Sequence, residues 1–251
     1  MTSCYDSYNY QKYWQNRRYE NRAERLVLEK FFQEIKRKNE KTILDIGAGF
    51  GRLTPCYAGI FKNVIFTEPS QKLTTQAQQK LKKFDNINYR VSRIETIKAD
   101  TYSPQVVIMV RVAHHLNDLD QIFKKIAQML PIGGFFILEF ANKINFKSRL
   151  KTLFSGNIKA FNTLASIDRR SPHNINQNSI LFLNHHPEKI RQLLEKNGFE
   201  IKEKLSVSNF RSPFLKKIIP LKILLFLEKI SQRPLAGLNF GPSIFLLARK
   251  R

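Results

Sequence analysis

Three glycines at alternate positions follow an acidic residue in the segment 43–53, which reads ILDIGAGFGRL. The apolar residues around Asp45 suit a buried strand. Gly47, Gly49 and Gly51 allow a tight turn in which a ligand can contact bare backbone. A strand, a glycine-rich turn and a helix form the nucleotide-binding opening of a doubly wound sheet. The segment therefore predicts a site for a nucleotide-like ligand, and the first crossover helix is expected over residues 51–62.

Two residues narrow the chemistry of that ligand. A dinucleotide site follows G-x-G-x-x-G, but the third glycine position is occupied here by Arg52. Asp45, two residues before Gly47, would repel a pyrophosphate at a helix N-terminus and suits a cationic ligand. S-adenosylmethionine carries a sulfonium and an ammonium group, so an acid at this place can hold it. We therefore predict S-adenosyl-L-methionine as the co-substrate.

A second carboxylate follows at the end of the next predicted strand, NVIFTE, which covers 63–68. Glu68 lies 17 residues after Gly51, where a ribose-binding acid belongs in this fold, because its two oxygens can accept from both ribose hydroxyls. Pro69 then turns the chain. The simpler alternative is an exposed Glu at a strand end, and we favour the ribose contact.

The segment 105–116, QVVIMVRVAHHL, contains a continuous apolar run at 106–110, as expected of a central parallel strand. Side chains at the carboxyl end of such a strand face the ligand crevice, which places Arg111 beside the ligand. His114 and His115 follow, and two adjacent histidines of an extended backbone cannot both face one pocket. The alternative is that they only begin the next helix.

These motifs resemble the class I S-adenosylmethionine-dependent methyltransferases. Residues 45–51 have all four fixed positions of their motif I, D/E-x-G-x-G-x-G, and Arg-Val-x-His-His-Leu resembles motif IV of the small-molecule branch called the type 11 methyltransferase domain. The resemblance covers roughly residues 40–200. It implies an α/β fold, a Rossmann-like doubly wound seven-stranded, mostly parallel sheet with an antiparallel last strand, in one methyltransferase domain over 1–251.

The resemblance also assigns residues to the site. The cofactor-binding residues that it implies are Asp45, Gly47, Ala48, Gly49, Gly51, Glu68, Pro69, Arg93, Ile94 and Arg111. Arg93 stands where the family commonly has Asp, which leaves backbone contacts from Arg93 and Ile94 to adenine. Gln105 replaces the Asp that usually begins the fourth strand.

Two side chains are candidates for catalysis. Family members that transfer a methyl group to a hydroxyl use the second histidine position as a general base, so the resemblance favours His115. Glu139 ends the fifth predicted strand, FFILEF, and could orient His115 or bind a polar group of the acceptor. Buried pairing of Glu139 with an Arg is the alternative. We expect no metal, because no Cys or carboxylate sits at ligand spacing beside the histidines.

The net charge of +23 and pI near 10.1 are unusual for a chain of 251 residues. An anionic partner, either nucleic acid or a membrane surface, is one interpretation. We favour a compositional origin, because the basic residues are spread along the chain. Cys4 and Cys56 form no disulfide framework. Without a signal peptide or an apolar run long enough to span a membrane, a cytoplasmic location is expected.

The N-terminal segment 1–38 is predicted to cap the domain. It is rich in aromatic residues up to position 19, and a helical stripe follows from Glu20 to Lys38. Tyr13, Trp14 and Arg18 could line the mouth of the pocket, and packing onto the domain surface is the alternative.

Two further segments depart from the family pattern. The insertion 142–185 is rich in Lys, Asn and Ser and is expected to carry specificity; Arg169, Arg170 and His173 are an anion-binding patch there or part of a solvated loop. The apolar segment 213–232 is predicted to cover the acceptor, with membrane-surface contact as the second interpretation and a subunit interface as the third.

The predicted reaction is transfer of a methyl group from S-adenosylmethionine to an O, N or C atom of a small or lipid-like acceptor. An RNA methyltransferase would use the positive charge, but no stacking motif such as Asn-Pro-Pro-Tyr follows the fourth strand. A non-catalytic protein that binds S-adenosylmethionine is the other alternative. The sequence names neither the acceptor nor an oligomeric state.

Overall fold

A seven-stranded sheet organises the chain. The structure, a computed structural model, describes residues 10–36, 41–155, 163–176 and 179–251. In the described part, the strand order of the main sheet is β3-β2-β1-β4-β5-β9-β8, with β1 to β5 parallel and β9 antiparallel to both of its neighbours. Its strands are β1 (Thr42–Ile46), β2 (Asn63–Glu68), β3 (Ile87–Val91), β4 (Val106–Met109), β5 (Phe135–Ala141), β8 (Phe199–Val207) and β9 (Ser243–Lys250). The short strands β6 (Ile167–Asp168) and β7 (Leu183–Asn184) pair with each other in a separate sheet. The predicted fold class is confirmed.

Helices cover both faces of this sheet. They are α1 (Tyr10–Gln15), α2 (Arg18–Lys36), α3 (Gln71–Lys80), α4 (Leu119–Met129), α5 (Phe146–Ser155), α6 (Pro172–Asn176), α7 (Pro187–Lys196), α8 (Pro213–Ile218) and α9 (Leu221–Gly237). The apolar stripes of α4 and α7 pack on one face, and that of α2 packs on the other. Every residue of β4 is buried, as a strand covered on both faces requires.

The parallel strands place the predicted site residues along one edge. Asp45 and Glu68 lie at the carboxyl ends of β1 and β2, Arg111 follows β4, and Glu139 lies near the end of β5. In-register pairing brings these ends together, with Ile46 opposite both Thr67 and Met109. Strand order reverses between β1 and β4, so this edge is the switch point at which open α/β sheets bind ligands.

The segment 51–62 contradicts one prediction. In place of the expected first crossover helix, the structure has a single 3₁₀ turn, Thr54–Cys56, flanked by irregular turns. Pro55 occupies the first turn, and few residues remain before β2 begins at Asn63. Gly59 also lowers helix propensity within that short span. The turn instead buries Tyr57 completely and directs it towards Asp45.

The N-terminal helices pack against the domain. The helical stripe predicted from Glu20 is present as α2, with Phe31, Phe32 and Ile35 fully or almost fully buried. Cys4 and the first aromatic residues, up to position 9, lie outside the described residues. Cys56 is half-buried, and burial raises the pKa of its thiol.

The segment 213–232 forms α8 and most of α9, between β8 and β9. It packs through α9 on α2 and β8; Glu228, fully buried, accepts hydrogen bonds from the backbone N–H groups of Ser208 and Asn209. Its outer side exposes Phe214, Ile218, Ile223, Phe226 and Ile230. Among the described residues, no helix is both long and apolar enough to cross a membrane. Surface contact with a membrane, an interface role and the cytoplasmic location stay predictions.

Candidate active site

The glycine turn after β1 is held by the neighbouring strand. The N–H groups of Gly47 and Ala48 both donate to the Thr67 carbonyl, at 2.9 and 3.0 Å. Gly47 has φ +69°, and a Cβ on it would lie 2.4 Å from Cγ2 of Val112. The turn therefore requires glycine at this position for two reasons, backbone conformation and space.

Glu68 ties the same turn to the end of β2. Its Oε2 accepts from the N–H of Gly49 and its Oε1 from the N–H of Ser70, each at 2.9 Å. Glu68 is only 4% exposed. These two backbone bonds fix the orientation of the carboxylate at the end of β2, the position predicted for a ribose-binding acid.

A cavity of about 170 Å³ lies over this turn. Its described lining includes seven of the predicted cofactor-binding residues: Gly47, Gly49, Glu68, Pro69, Arg93, Ile94 and Arg111. Ser92 also lines it, and its buried hydroxyl has no hydrogen-bond partner within the described residues. Bare backbone at the turn, a fixed carboxylate and an unpaired hydroxyl fit a nucleoside, so the residues present suit the adenosine part of S-adenosylmethionine.

Asp45 and Ala48 line a smaller adjoining recess of about 30 Å³ together with Arg52. The Asp45 carboxylate accepts a hydrogen bond from the Tyr57 hydroxyl. Burial raises the pKa of Asp45 to about 7; the Tyr57 bond opposes this, and the nearby Glu68 adds to it. The recess thus holds an acid whose charge changes near neutral pH and which a cation would stabilise in its ionised form.

Gly51 does not line either of these cavities among the described residues. Its φ is +70°, and a Cβ there would approach Cδ1 of Leu81 to 2.5 Å. The geometry gives Gly51 a packing role, the close approach of the turn to the end of α3, while its predicted contact with the cofactor stays a prediction.

A buried ionic cluster holds two arginines that line the cavities, Arg52 and Arg111, in place. Glu24 on α2 is fully buried and accepts from the guanidinium groups of both Arg52 and Arg111. Both guanidiniums lie over the ring of Trp14, with their carbons 3.6 and 4.7 Å from its centroid. Burial alone would raise the pKa of Glu24, but the charges of Arg111 and Arg52 outweigh it and hold the pKa below its usual value. Glu24 is therefore an anion in the site.

Glu24 was not among the residues singled out from the sequence. The signal is present, however, because Glu24 lies four residues before Leu28 and seven before Phe31. That spacing places an acid on the apolar face of α2, where a charge is expected only when it is paired.

A larger cavity of about 640 Å³ adjoins the first two. It is bounded by α1 and the α1–α2 junction, the end of β5, the insertion 142–185, and the segments that follow β8 and precede β9. Arg111, with φ +61°, lines all three cavities. None of its described lining comes from 213–232, so the structure does not bring the predicted cap segment to this cavity.

The two histidines face different cavities. His115 lines the smaller cofactor-sized cavity, with Nδ1 2.6 Å from the Leu181 carbonyl oxygen. His114 lines the larger cavity; it is 5% exposed, and its Nδ1 has no hydrogen-bond partner among the described residues. Burial, followed by the proximity of His115 and Arg111, lowers the pKa of His114 well below its usual value. A neutral imidazole thus borders the larger cavity, and the base role predicted for His115 stays a prediction.

Glu139 also lines the larger cavity. Its Oε2 accepts from the backbone N–H of Arg111 at 2.8 Å and its Oε1 from the Ser243 hydroxyl. Burial raises its pKa, although Arg111 opposes the shift. Glu139 thus fixes the unusual backbone of Arg111 through its N–H.

Of the site residues predicted in the N-terminal segment and the insertion, some line the larger cavity and others do not. Tyr13 and Arg169 line the larger cavity. Trp14 lies beneath the two guanidiniums, and Arg18 is exposed outside the cavity lining. Arg170 is paired with Asp168 rather than facing the cavity, and His173 is exposed on α6.

Comparisons with known proteins agree with this geometry. Residues 44–138 match the model of a family described as a methyltransferase domain. Human mitochondrial ubiquinone biosynthesis O-methyltransferase is 30% identical over 165 residues, which are 63% of this chain and 41% of the human protein.

Among solved structures, an S-adenosylmethionine-dependent methyltransferase from Clostridium acetobutylicum superposes with a TM-score of 0.62 over 99% of both chains, at 15% identity. Magnesium protoporphyrin IX methyltransferase from Synechocystis, with bound SAH, gives 0.56 at 17% identity, covering 91% of this chain and 84% of that one. The class I methyltransferase fold predicted from the sequence is confirmed. The chain spans about two-fifths of the length of the human relative that it matches.

Proposed function

We propose that the protein transfers the methyl group of S-adenosylmethionine to a small-molecule acceptor, because residues 44–138 match the model of a methyltransferase domain and the chain has the class I fold. The human relative and the Synechocystis structure are both named for methyl transfer in the biosynthesis or modification of small molecules. The cavity of about 640 Å³ has the size of a small-molecule site.

The observation that carries the proposal is the position of Arg111. This residue lines the cavity over the glycine turn, the recess beside Asp45 and the larger cavity. A cofactor in the cavity over the glycine turn and the recess would therefore meet, at Arg111, an acceptor bound in the larger cavity. Methyl transfer from a sulfonium requires this arrangement, two bound reactants whose reacting atoms are held in line.

Each residue of the cofactor side has a defined task. Glu68 accepts from the ribose hydroxyls, the glycine turn allows close approach of the nucleoside, and the ionised Asp45 pairs with the ammonium group. S-adenosylmethionine supplies an electrophilic methyl group when bound. The buried ion pair of Arg111 with Glu24 fixes the residue at the junction of the two ligands.

We assign the proton acceptor for a hydroxyl acceptor to His114, which borders the larger cavity, ahead of His115, which borders the smaller one. Burial lowers the pKa of His114, so the imidazole is neutral at pH 7 and has a ring nitrogen that can accept a hydrogen bond from the acceptor hydroxyl, although the same shift makes it a weaker base than an exposed histidine. Glu139 acts by positioning Arg111.

The test compares two Glu→Gln substitutions, one in the proposed cofactor site and one on the exposed surface. Glu68→Gln removes one of the two carboxylate oxygens that accept backbone N–H groups, whereas Glu34→Gln changes an exposed glutamate of α2. We expect native protein to bind S-adenosylhomocysteine in calorimetry and Glu68→Gln to bind it on the order of tenfold or more weakly, since charged hydrogen bonds are lost. Glu34→Gln should match the native protein.

Circular dichroism and thermal unfolding would show that Glu68→Gln is folded. Absence of S-adenosylhomocysteine binding by native protein, or unchanged affinity in folded Glu68→Gln, would contradict the proposed cofactor site. Binding without methyl transfer across a broad panel of acceptors would instead favour a non-catalytic cofactor-binding protein.

A further inference from the structure

The larger cavity has a strongly positive lining. Its described residues include seven basic side chains and two carboxylates. The basic residues are Arg17, Arg111, Lys143, Lys147, Lys151, Arg169 and Arg211. They come from widely separated parts of the chain, between α1 and the loop after β8, so the fold brings together charges that the sequence disperses.

Within the described part of the chain, six of these seven cations form no ion pair with a carboxylate. Arg111 is paired with Glu24, but none of the others takes part in an ion pair formed within the described residues. Lys143 is 4% exposed, and its Nζ donates to the carbonyls of Thr163 and Ala165 at 2.6 and 2.8 Å, which are neutral acceptors. Burial lowers its pKa. Such a charge is costly without an anion nearby.

The two carboxylates of the lining are too few to neutralise the seven cations. Oε1 of Glu20 pairs at 2.9 Å with Lys216, which lies outside the cavity lining, while its buried Oε2 has no hydrogen-bond partner within the described residues and its charge acts on Arg211. Glu139 is occupied by the Arg111 N–H and the Ser243 hydroxyl, and burial raises its pKa. The space therefore keeps a net positive potential, and low-dielectric walls strengthen such a potential.

The cations also influence one another. Arg211 is exposed at the cavity; its partial burial lowers its pKa, the charge of Glu20 opposes this, and the charges of Arg111 and Arg17 add to it. The guanidinium carbon of Arg17 lies 4.0 Å from the ring centroid of Tyr13, which also lines the cavity. Arg17 and Arg211 thus lie close enough to repel each other beside the junction residue Arg111. An anion between them would relieve this repulsion.

We propose that the methyl acceptor is a small anionic molecule, whose carboxylate or phosphate group is bound by Arg17 and Arg211 with the lysines of α5 completing the positive wall. This rests on the proposed function, because it assigns the larger cavity to the acceptor. Lys147 and Lys151 are four residues apart on α5 and so lie on one helical face, as a shared wall requires. The buried His114, with no partner for its Nδ1 among the described residues, lies in the same lining and offers a neutral acceptor for the rest of the molecule.

The test compares anionic probes with neutral partners that have the same ring. Calorimetry in saturating S-adenosylhomocysteine compares benzoate with benzamide, and phenyl phosphate with phenol, for the native protein, Arg17→Gln, Arg211→Gln and the double variant. Arg22→Gln is the control, because Arg22 is exposed on α2 outside the cavity lining. We expect at least one anion to bind native protein roughly tenfold or more tightly than its neutral partner, with about tenfold lost in the double variant.

The outcomes separate this inference from the proposed function. The native protein has two affinity ratios, benzoate over benzamide and phenyl phosphate over phenol. The larger ratio identifies carboxylate or phosphate as the bound group. Unchanged S-adenosylhomocysteine affinity in the double variant shows an intact cofactor side, and failure of native protein to bind S-adenosylhomocysteine rejects the proposed function itself. With cofactor binding intact, equal affinity for anionic and neutral probes overturns the anionic acceptor. So does a charge preference that survives in the double variant or falls equally in Arg22→Gln. Competition of single-stranded RNA for these probes, with log affinity falling linearly with log salt, would also overturn it in favour of a nucleic-acid acceptor.

Discussion

Substitution of Glu24 by Gln tests the ionic cluster beneath the site. The Glu24 side chain is fully buried, and it pairs with Arg52 and Arg111, whose side chains are 9% and 22% exposed. Removing one partner of a buried ion pair costs about 3–5 kcal/mol, since the remaining charge is left uncompensated. Here Asn21 still accepts from Arg52 at 2.7 Å, and Trp14 still lies under both guanidiniums. We therefore expect a loss near the lower limit, about 3 kcal/mol.

Urea unfolding followed by circular dichroism measures this loss, with Glu29→Gln, an exposed change on the same helix, as the control. Glu29→Gln should change the free energy of unfolding by less than about 0.5 kcal/mol. Combining Glu24→Gln with Arg52→Gln should cost less than the sum of the two single changes by about 1 kcal/mol or more, because the two residues contact each other. A loss below about 1 kcal/mol in Glu24→Gln, or strict additivity in the double variant, would refute the reasoning.

The pH dependence of the same variant has a defined sign. The pKa of Glu24 in the folded protein is below its usual value, so the folded state binds fewer protons than the unfolded chain near that pH. The stabilisation is complete above the unfolded pKa of about 4.3 and is lost as the pH falls through the folded pKa. In Glu24→Gln, this part of the acid-induced loss of stability should be missing.

Two further predictions concern the ligand cavities. With the pKa of Asp45 raised to about 7, the ionised form grows from about one-tenth at pH 6 to nine-tenths at pH 8, so S-adenosylhomocysteine affinity should rise about tenfold over this range. Asp45→Asn should remove that rise, and a flat profile for native protein would count against the ammonium contact. Substitution of His114 by Asn should lower kcat by about a hundredfold for a hydroxyl acceptor while leaving S-adenosylhomocysteine affinity unchanged, with His115→Asn showing the opposite pattern. A hundredfold loss of kcat in His115→Asn alone would return the base role to His115.

The cofactor side could be predicted from the sequence because its chemistry is local. The turn, its positive φ values and the strand-end acids all follow from residue types within short windows, as Gly47 and Glu68 show. The sheet order follows from alternating strands and helices. The missing helix at 51–62 marks the limit of that approach: a helix was expected after the glycine turn, although Pro55 and Gly59 disfavour one locally.

The acceptor side could not be predicted in the same way. Its walls come from residues far apart in the chain, such as Arg17, Lys143 and Arg211. A short stretch of sequence therefore never contains two of these three residues. Glu24 is an intermediate case: its position on an apolar helical stripe was visible, but its partners Arg52 and Arg111 lie 28 and 87 residues away. Buried charges of this kind are recognised only when both partners are placed.

This difference changes the meaning of the net charge of +23. In the sequence, the basic residues are spread along the chain, which favoured a compositional origin of the net charge, because dispersed basic residues do not indicate a binding site. The fold, however, gathers seven of them around one space and leaves six without a carboxylate within the described residues. Four of these six, Lys147, Lys151, Arg169 and Arg211, are exposed, where an unpaired cation costs little. Lys143 instead is almost fully buried against neutral carbonyls. Retaining such a charge inside a cavity beside the cofactor site is explained most directly by an anion that binds there during the reaction.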